Sequence, residues 1–131
     1  MDLDQAAALA RSLPGAEEGE RRGALAWSVN GKVFAWERPY TKADIKRFGV
    51  EPYPQEPLVA VRTAGLVEKE ALLASSSPAV FTMEHFDGFA AVLVELGQVE
   101  AEELREVVVD GWSVYASPAQ LAEQDTAPGS Q

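Results

Sequence analysis

Few groups in this chain could do chemistry. His85 is the only histidine, lying between Glu84 and Phe86 and three residues before Gly88, with Asp87 close by. An imidazole near a carboxylate can serve as a pH-sensitive group or as a general base held in one orientation. Such a base needs a nucleophile, and the candidates are poor: the chain has no cysteine, and no serine sits in a Gly-x-Ser-x-Gly turn. A metal centre would have to join one imidazole to carboxylates alone, a set the usual zinc patterns do not offer. No catalytic residue, metal ligand or cofactor is therefore assigned, and His85 with Asp87 stands as a polar site. The plainer account of His85 is a histidine that hydrogen-bonds backbone in a connecting segment.

The second candidate group is cationic. Between Glu37 and Arg47 lie four bases, Arg38, Lys42, Lys46 and Arg47, against two acids, Glu37 and Asp44. Clustered bases are what contact with a phosphate backbone uses, so these four are the nucleic-acid candidates. The plainer account is that Lys42 and Lys46 solvate a short helix while Arg38 pairs with a nearby acid. The chain as a whole opposes polyanions, since 21 acids against 11 bases give a net charge of -10. From Glu95 onward there are eight acids and only Arg105 to offset them. Any nucleic-acid surface has to be local.

The elements that must position these groups follow from spacing. Leu3, Ala6, Ala7, Ala10 and Leu13 recur at helical intervals, Asp2 and Gln5 form a capping pair, and Pro14-Gly15 ends the helix. Glu17 to Gly23 reads as loop. Asn30-Gly31 is a hairpin turn, because both residues tolerate positive φ. Placing Val29 opposite Lys32 puts Trp27 opposite Phe34 and Leu25 opposite Trp36, which gathers the aromatics on one core face rather than on a base-stacking surface. Ala24, Ala26, Ser28, Val33, Ala35 and Glu37 fall on the other, thinly covered face. After a proline-rich connection, Thr41 to Phe48 makes a short helix with Thr41 as cap and Ile45 and Phe48 turned inward. Leu58 to Arg62 is a strand, Leu66 to Ala74 a helix, Val80 to Met83 a strand, and the apolar run Phe89 to Leu96 a central strand. Ala101, Leu104, Val108 and Tyr115 mark the last helix, which Pro118 stops or interrupts.

These elements define an α+β fold of order α-β-β-β-α-β-β-α: two layers, with an antiparallel five-stranded sheet and helices on one face. The 131 residues suit one domain, 1–121, with 122–131 as a flexible tail. The acidic N-terminus, the lack of any long apolar run and the lack of cysteine lead to the expectation of a cytoplasmic protein with no membrane association.

Six segments carry a family resemblance: Phe34-Ala-Trp-Glu-Arg-Pro, Lys42-Ala-Asp-Ile-Lys-Arg-Phe-Gly, Glu68-Lys-Glu-Ala-Leu-Leu, His85-Phe-Asp-Gly-Phe, Val92-Leu-Val-Glu-Leu and Glu103-Leu-Arg-Glu. As a set they resemble the MmcQ/YjbR family from about the first helix to Leu121. The resemblance implies a YjbR-like, secretion-chaperone-like two-layer fold and a DNA-binding role. One departure bears on that role. Where the family usually runs Ala-Pro-Lys-Arg-Leu, this chain has Ser117-Pro118-Ala119-Gln120-Leu121. Two bases are missing there, which leaves Arg38, Lys42, Lys46 and Arg47 as the basic cluster. The expectation is a non-enzymatic YjbR-like domain that binds DNA through this local patch. The alternative, suggested by the acidic charge and the small-residue sheet face, is a protein-interaction or small-ligand module, for example a homodimer.

Overall fold

The computed structural model describes residues 1–49 and 52–126. Helix α1, Leu3–Arg11, starts where expected, because Asp2 accepts from the Gln5 N–H at 2.8 Å while the Gln5 side chain accepts from the Asp2 N–H at 2.9 Å. Its Ala6, Ala7 and Ala10 face the core.

The next element corrects the sequence reading. Glu17–Arg21, expected as loop, is strand β1, paired antiparallel with β2, Ala24–Val29. Its side chains are all exposed, so no apolar alternation announces it. Its turn is Arg22-Gly23, with φ of 54° and 80°. The first of these is an arginine in a left-handed conformation, which the usual hairpin signature does not include.

Strand β3, Lys32–Glu37, follows the Asn30-Gly31 turn, where φ of 54° and 79° matches the hairpin expectation. Val29 faces Lys32, but the expected register then fails. Ser28 pairs with Val33 and Trp27 with Ala35, which makes Phe34 an extra residue on β3. Such a bulge bends the strand and re-aims the side chains beyond it. Phe34 and Ala35 both enter the main core, and Trp36 turns to the opposite side of the sheet from Trp27.

Helix α2, Lys42–Phe48, has the expected Thr41 cap, completed by Asp44. Ile45 is 44% exposed rather than turned inward. Phe48 does face inward, stacking on Tyr53 and meeting the edge of Tyr40, whose hydroxyl donates to the Pro54 carbonyl at 2.7 Å. Burial, with help from the carboxylates of Glu95, Glu56 and Asp44, pushes the Tyr40 phenol up to about 12. That hydroxyl stays a donor and anchors the long connection.

Strand β4 is Leu58–Arg62, helix α3 Leu66–Ser75, and strand β5 only Val80–Phe81, shorter than expected. A single 3-10 turn, Glu84–Phe86, replaces the simple turn expected around His85. Strand β6 is Ala91–Glu95 and helix α4 is Ala101–Ser113. Beyond Pro118 the chain is helical again, as α5, Pro118–Thr126, over part of what was expected to be a tail. The rest of that tail, 127–131, lies outside the described residues. Asn30 fastens the Asn30-Gly31 hairpin to α5 and the residues before it, donating to the Gln120 side-chain oxygen at 2.9 Å and to the Tyr115 carbonyl at 2.8 Å.

All pairings are antiparallel, and the six strands, not five, run in the order β1-β2-β3-β4-β6-β5. Side chains alternate between the faces of the two inner strands: Val59, Val61, Val92 and Val94 enter the main core, while Ala60, Ala91 and Leu93 point to the other side and are equally buried. Helices α1 and α4 cover the first face with Ala6, Ala10, Leu104, Val107, Val108 and Trp112, and Leu72 and Leu73 of α3 join them. Each fully buried leucine or valine among them contributes about 1.5–3 kcal/mol by leaving water. Helix α2 adds no residue to that core, and the second face carries a smaller cluster of Ala60, Phe86, Ala91 and Leu93 with Trp36, Phe81 and Met83 packed against it. No helix of the described residues is long and apolar enough to cross a membrane.

Candidate ligand-binding cleft

Trp36 organises the second face. Directly opposed residues share a side of a sheet, and the register sets Gly19, Ala26, Trp36, Ala60 and Leu93 in one row across five strands. Of these, only Trp36 and Leu93 are large. Trp36 stacks on Phe86 at 6.4 Å between ring centroids, and Phe89 lies 6.1 Å from Trp36 and 5.7 Å from Phe86. This aromatic trio covers one end of the face. The other end, over the small residues of β2, is open.

The open end is a cleft of about 590 Å³. Its floor is Ala24, Ala26, Val33 and Trp36, and its walls carry four arginines, Arg21, Arg22, Arg38 and Arg62, against one carboxylate, Glu37. Glu37 is already engaged, accepting from the Leu25 N–H at 3.1 Å. Two of the arginines are laid on aromatic rings: Arg38 over Phe86 at 5.6 Å and Arg62 over Phe89 at 4.6 Å. Among the described residues Arg21, Arg22 and Arg62 have no carboxylate partner. The Arg62 Nε is the one buried side-chain polar atom there with no hydrogen-bond partner.

The loop that forms the far wall is held from behind. Lys69, buried on α3, donates to the carbonyls of Phe86 at 2.6 Å and Phe89 at 2.9 Å. Burial pushes its ammonium below the usual lysine range, and Asp87 opposes that shift.

Next to Arg38 stands a second cluster. Asp44 is 3% exposed; it accepts from the Thr41 N–H at 2.9 Å, from Arg38 at 3.1 Å, and from His85 Nδ1. Burial alone would raise its carboxyl, but the hydrogen bonds from Thr41 and the Arg38 guanidinium hold it below the usual carboxylate range. The other ring nitrogen of His85 meets Arg47 at 2.7 Å, and Arg47 also pairs with Glu84 at 3.0 Å. A guanidinium can only donate, so these contacts fit a neutral His85 with its proton on Nδ1, given to Asp44.

The structure thus brings together three of the sequence candidates, Arg38, Arg47 and His85, around an acid the sequence reading had merely counted. The carboxylate that orients His85 is Asp44, from a distant segment, and not Glu84 or Asp87. Asp87 closes the 3-10 turn through its backbone. Lys42 and Lys46 are exposed, and no ion pair is formed by either among the described residues. Arg38 and Arg47, the other half of the proposed DNA patch, are paired with acids. Chemically the cluster can fix a base, but a guanidinium occupies its free nitrogen. No group of three or more His, Asp or Glu residues among those described could hold a metal ion.

Sequence reasoning missed Arg21, Arg22, Arg62 and the placement of Trp36. Arg62 had a signal, since it continues the Ala60 side of β4 by simple alternation. Arg21 and Arg22 had none, because their strand carries no apolar pattern.

Comparison with known proteins agrees with this fold. A protein of Mycobacterium tuberculosis named Uncharacterized protein Rv2570 is 41% identical over 100 residues, covering 74% of this chain and 76% of its own length. Mb2600 of Mycobacterium bovis, also named an uncharacterized protein, gives the same figures. Among solved structures, the Deinococcus radiodurans protein DR2400, with a DUF419 domain, superposes with a TM-score of 0.63 over 99% of this chain and 94% of that one. At 19% identity that likeness shows the fold alone. The YjbR family model matches residues 11–114, which takes in every strand and both the cleft and the Asp44 cluster, so the chain belongs to the YjbR family.

Proposed function

We propose that this protein is a non-enzymatic binding domain that takes a small anionic ligand into the cleft on the open face of its sheet. The observation that carries the reading is the concentration of charge: four of the chain's bases line one cleft, and three of them, Arg21, Arg22 and Arg62, have no carboxylate partner among the described residues, in a protein of net charge -10. Arginine is suited to this work because its planar guanidinium meets carboxylate and phosphate oxygens in pairs. The cleft volume lies within the range of small-molecule sites. Binding of duplex DNA at the Arg38 to Arg47 segment has narrower support, since it rests on Lys42 and Lys46 once Arg38 and Arg47 are given to acids.

Calorimetric titration with citrate and with tripolyphosphate tests the reading. Binding is expected, and replacing Arg21 and Arg62 together by alanine should weaken it about tenfold or more, while Lys42→Ala with Lys46→Ala should leave it unchanged. Binding that ignores the two arginines, or a gel shift of duplex DNA that depends on the two lysines, would place the function elsewhere.

A further inference from the structure

We infer that the ligand of this cleft is a planar heteroaromatic ring bearing a phosphate or carboxylate, of the size of a mononucleotide. The inference rests on the anion-binding reading above and adds the chemical class. Three features argue for the ring.

The first is the floor. The bulge at Phe34 sets Trp36 beside Ala24 and Ala26, so the cleft offers ring surface next to a strip of small residues. Phe89, 37% exposed, adds a second ring at the edge. Stacking on such surfaces favours a flat ligand, since any other shape leaves part of the ring area wet.

The second is the arrangement of charge along the strands. Arg21 is opposed to Ala24 on one side of the Trp36 row, whereas Arg62 lies two residues beyond Ala60 on the other. Two residues of strand span about 7 Å, so the cationic groups flank the aromatic floor instead of crowding one point. A ring over Trp36 can therefore direct its anionic group toward Arg21 and Arg22.

The third is Arg62. Its guanidinium is seated on Phe89, and its buried Nε lacks an acceptor. Buried donors are nearly always paired, so a small turn of the side chain that presents this N–H to the cleft would let a ring nitrogen or a carbonyl at the ligand's edge accept from it. A simple anion such as phosphate would satisfy the arginines of one wall and leave the floor bare.

The test is a titration of the full chain with AMP, ribose 5-phosphate and adenosine, read by calorimetry and by the three tryptophan indole signals in NMR. Trp27 and Trp112 are internal controls, because their indole N–H groups are committed to Glu18 and to the Pro14 carbonyl, each at 2.9 Å. AMP should move the Trp36 signal, leave the other two in place, and bind at least tenfold tighter than either fragment. Arg62→Ala should weaken AMP about tenfold, and Arg62→Lys, which keeps charge without the Nε, should not restore it. Equal binding of AMP and ribose 5-phosphate overturns the ring while the anion reading stands. Equal binding of AMP and adenosine overturns the anion reading itself. No binding by any of the three overturns both. A short single-stranded oligonucleotide distinguishes the source of the ring: affinity no better than AMP supports a free small molecule, and much tighter, length-dependent binding overturns it in favour of a strand.

Discussion

Asp44 shows how one residue joins the fold to the site. Its carboxylate caps α2 through Thr41, orients His85 and holds Arg38 at the cleft rim. Asp44→Asn keeps the shape but leaves the Arg38 guanidinium without its charge partner and His85 without its carboxylate acceptor, and should cost about 3 kcal/mol, the low end for breaking a buried pair. The sign of its pH dependence follows from the depressed carboxyl. The folded state binds this proton less readily than the unfolded chain, so the stabilisation is complete above the ordinary aspartate value and fades as pH falls through the lower, folded one. Urea unfolding at neutral pH should separate wild type from Asp44→Asn clearly, and the gap between the two midpoints should narrow as pH is lowered below the ordinary aspartate value. A gap that widened in acid would remove the role given to this carboxylate.

At the scale of elements, the site depends on two close fits in the sheet. One is the bulge at Phe34, without which Trp36 would lie beside Trp27 under the helices and the second face would be a shallow surface of alanines. The other is the approach of α4 to β3 and β4. A Cβ on Gly111 would fall 2.5 Å from a Val61 methyl, 2.9 Å from the Arg62 carbonyl and 3.3 Å from the Phe34 carbonyl. Two of these contacts are backbone, which cannot swing aside. Gly111→Ala should therefore lose about 2 kcal/mol by overpacking, even though alanine is favoured over glycine in a helix by about 1 kcal/mol. Thermal unfolding should show Tm lower by about 8 °C. Because Phe34 and Arg62 are the contacted residues, the same variant should also weaken anion binding.

Across the whole molecule, charge is partitioned. Acids crowd the outer turns of α4 and the segment after it, while the cleft gathers arginines from three separate parts of the chain. Screening acts on this contrast. Raising salt to about 0.5 M should weaken tripolyphosphate binding about tenfold and leave a neutral nucleoside nearly unaffected, because the Debye length contracts to a few ångströms. Salt-independent binding of the polyanion would mean that the arginines are not its partners.

How far the chain could be read depends on which interactions are local. The helix caps at Asp2 and Thr41, the Asn30-Gly31 turn and strands such as Leu58–Arg62 were legible, because a few neighbouring residues decide them. The apolar run of β6 likewise announced a central strand. Strand β1 was not legible, since an exposed edge strand gains its hydrogen bonds from β2 and needs no apolar code. His85 and Arg38 were legible as chemistry but not as a cluster, because Asp44 reaches His85 across 41 positions of sequence.

By itself, then, the sequence determined the family, the two-layer class, most element boundaries and the scarcity of catalytic groups, all of which are properties of composition, periodicity and short motifs. The tertiary structure decided the face on which Trp36 lies, the partner of His85 and the cleft where Arg21, Arg22, Arg38 and Arg62 meet. The physical reason is that a single extra residue in a strand reverses the face of every side chain after it, and no local signal marks where that residue will be tolerated.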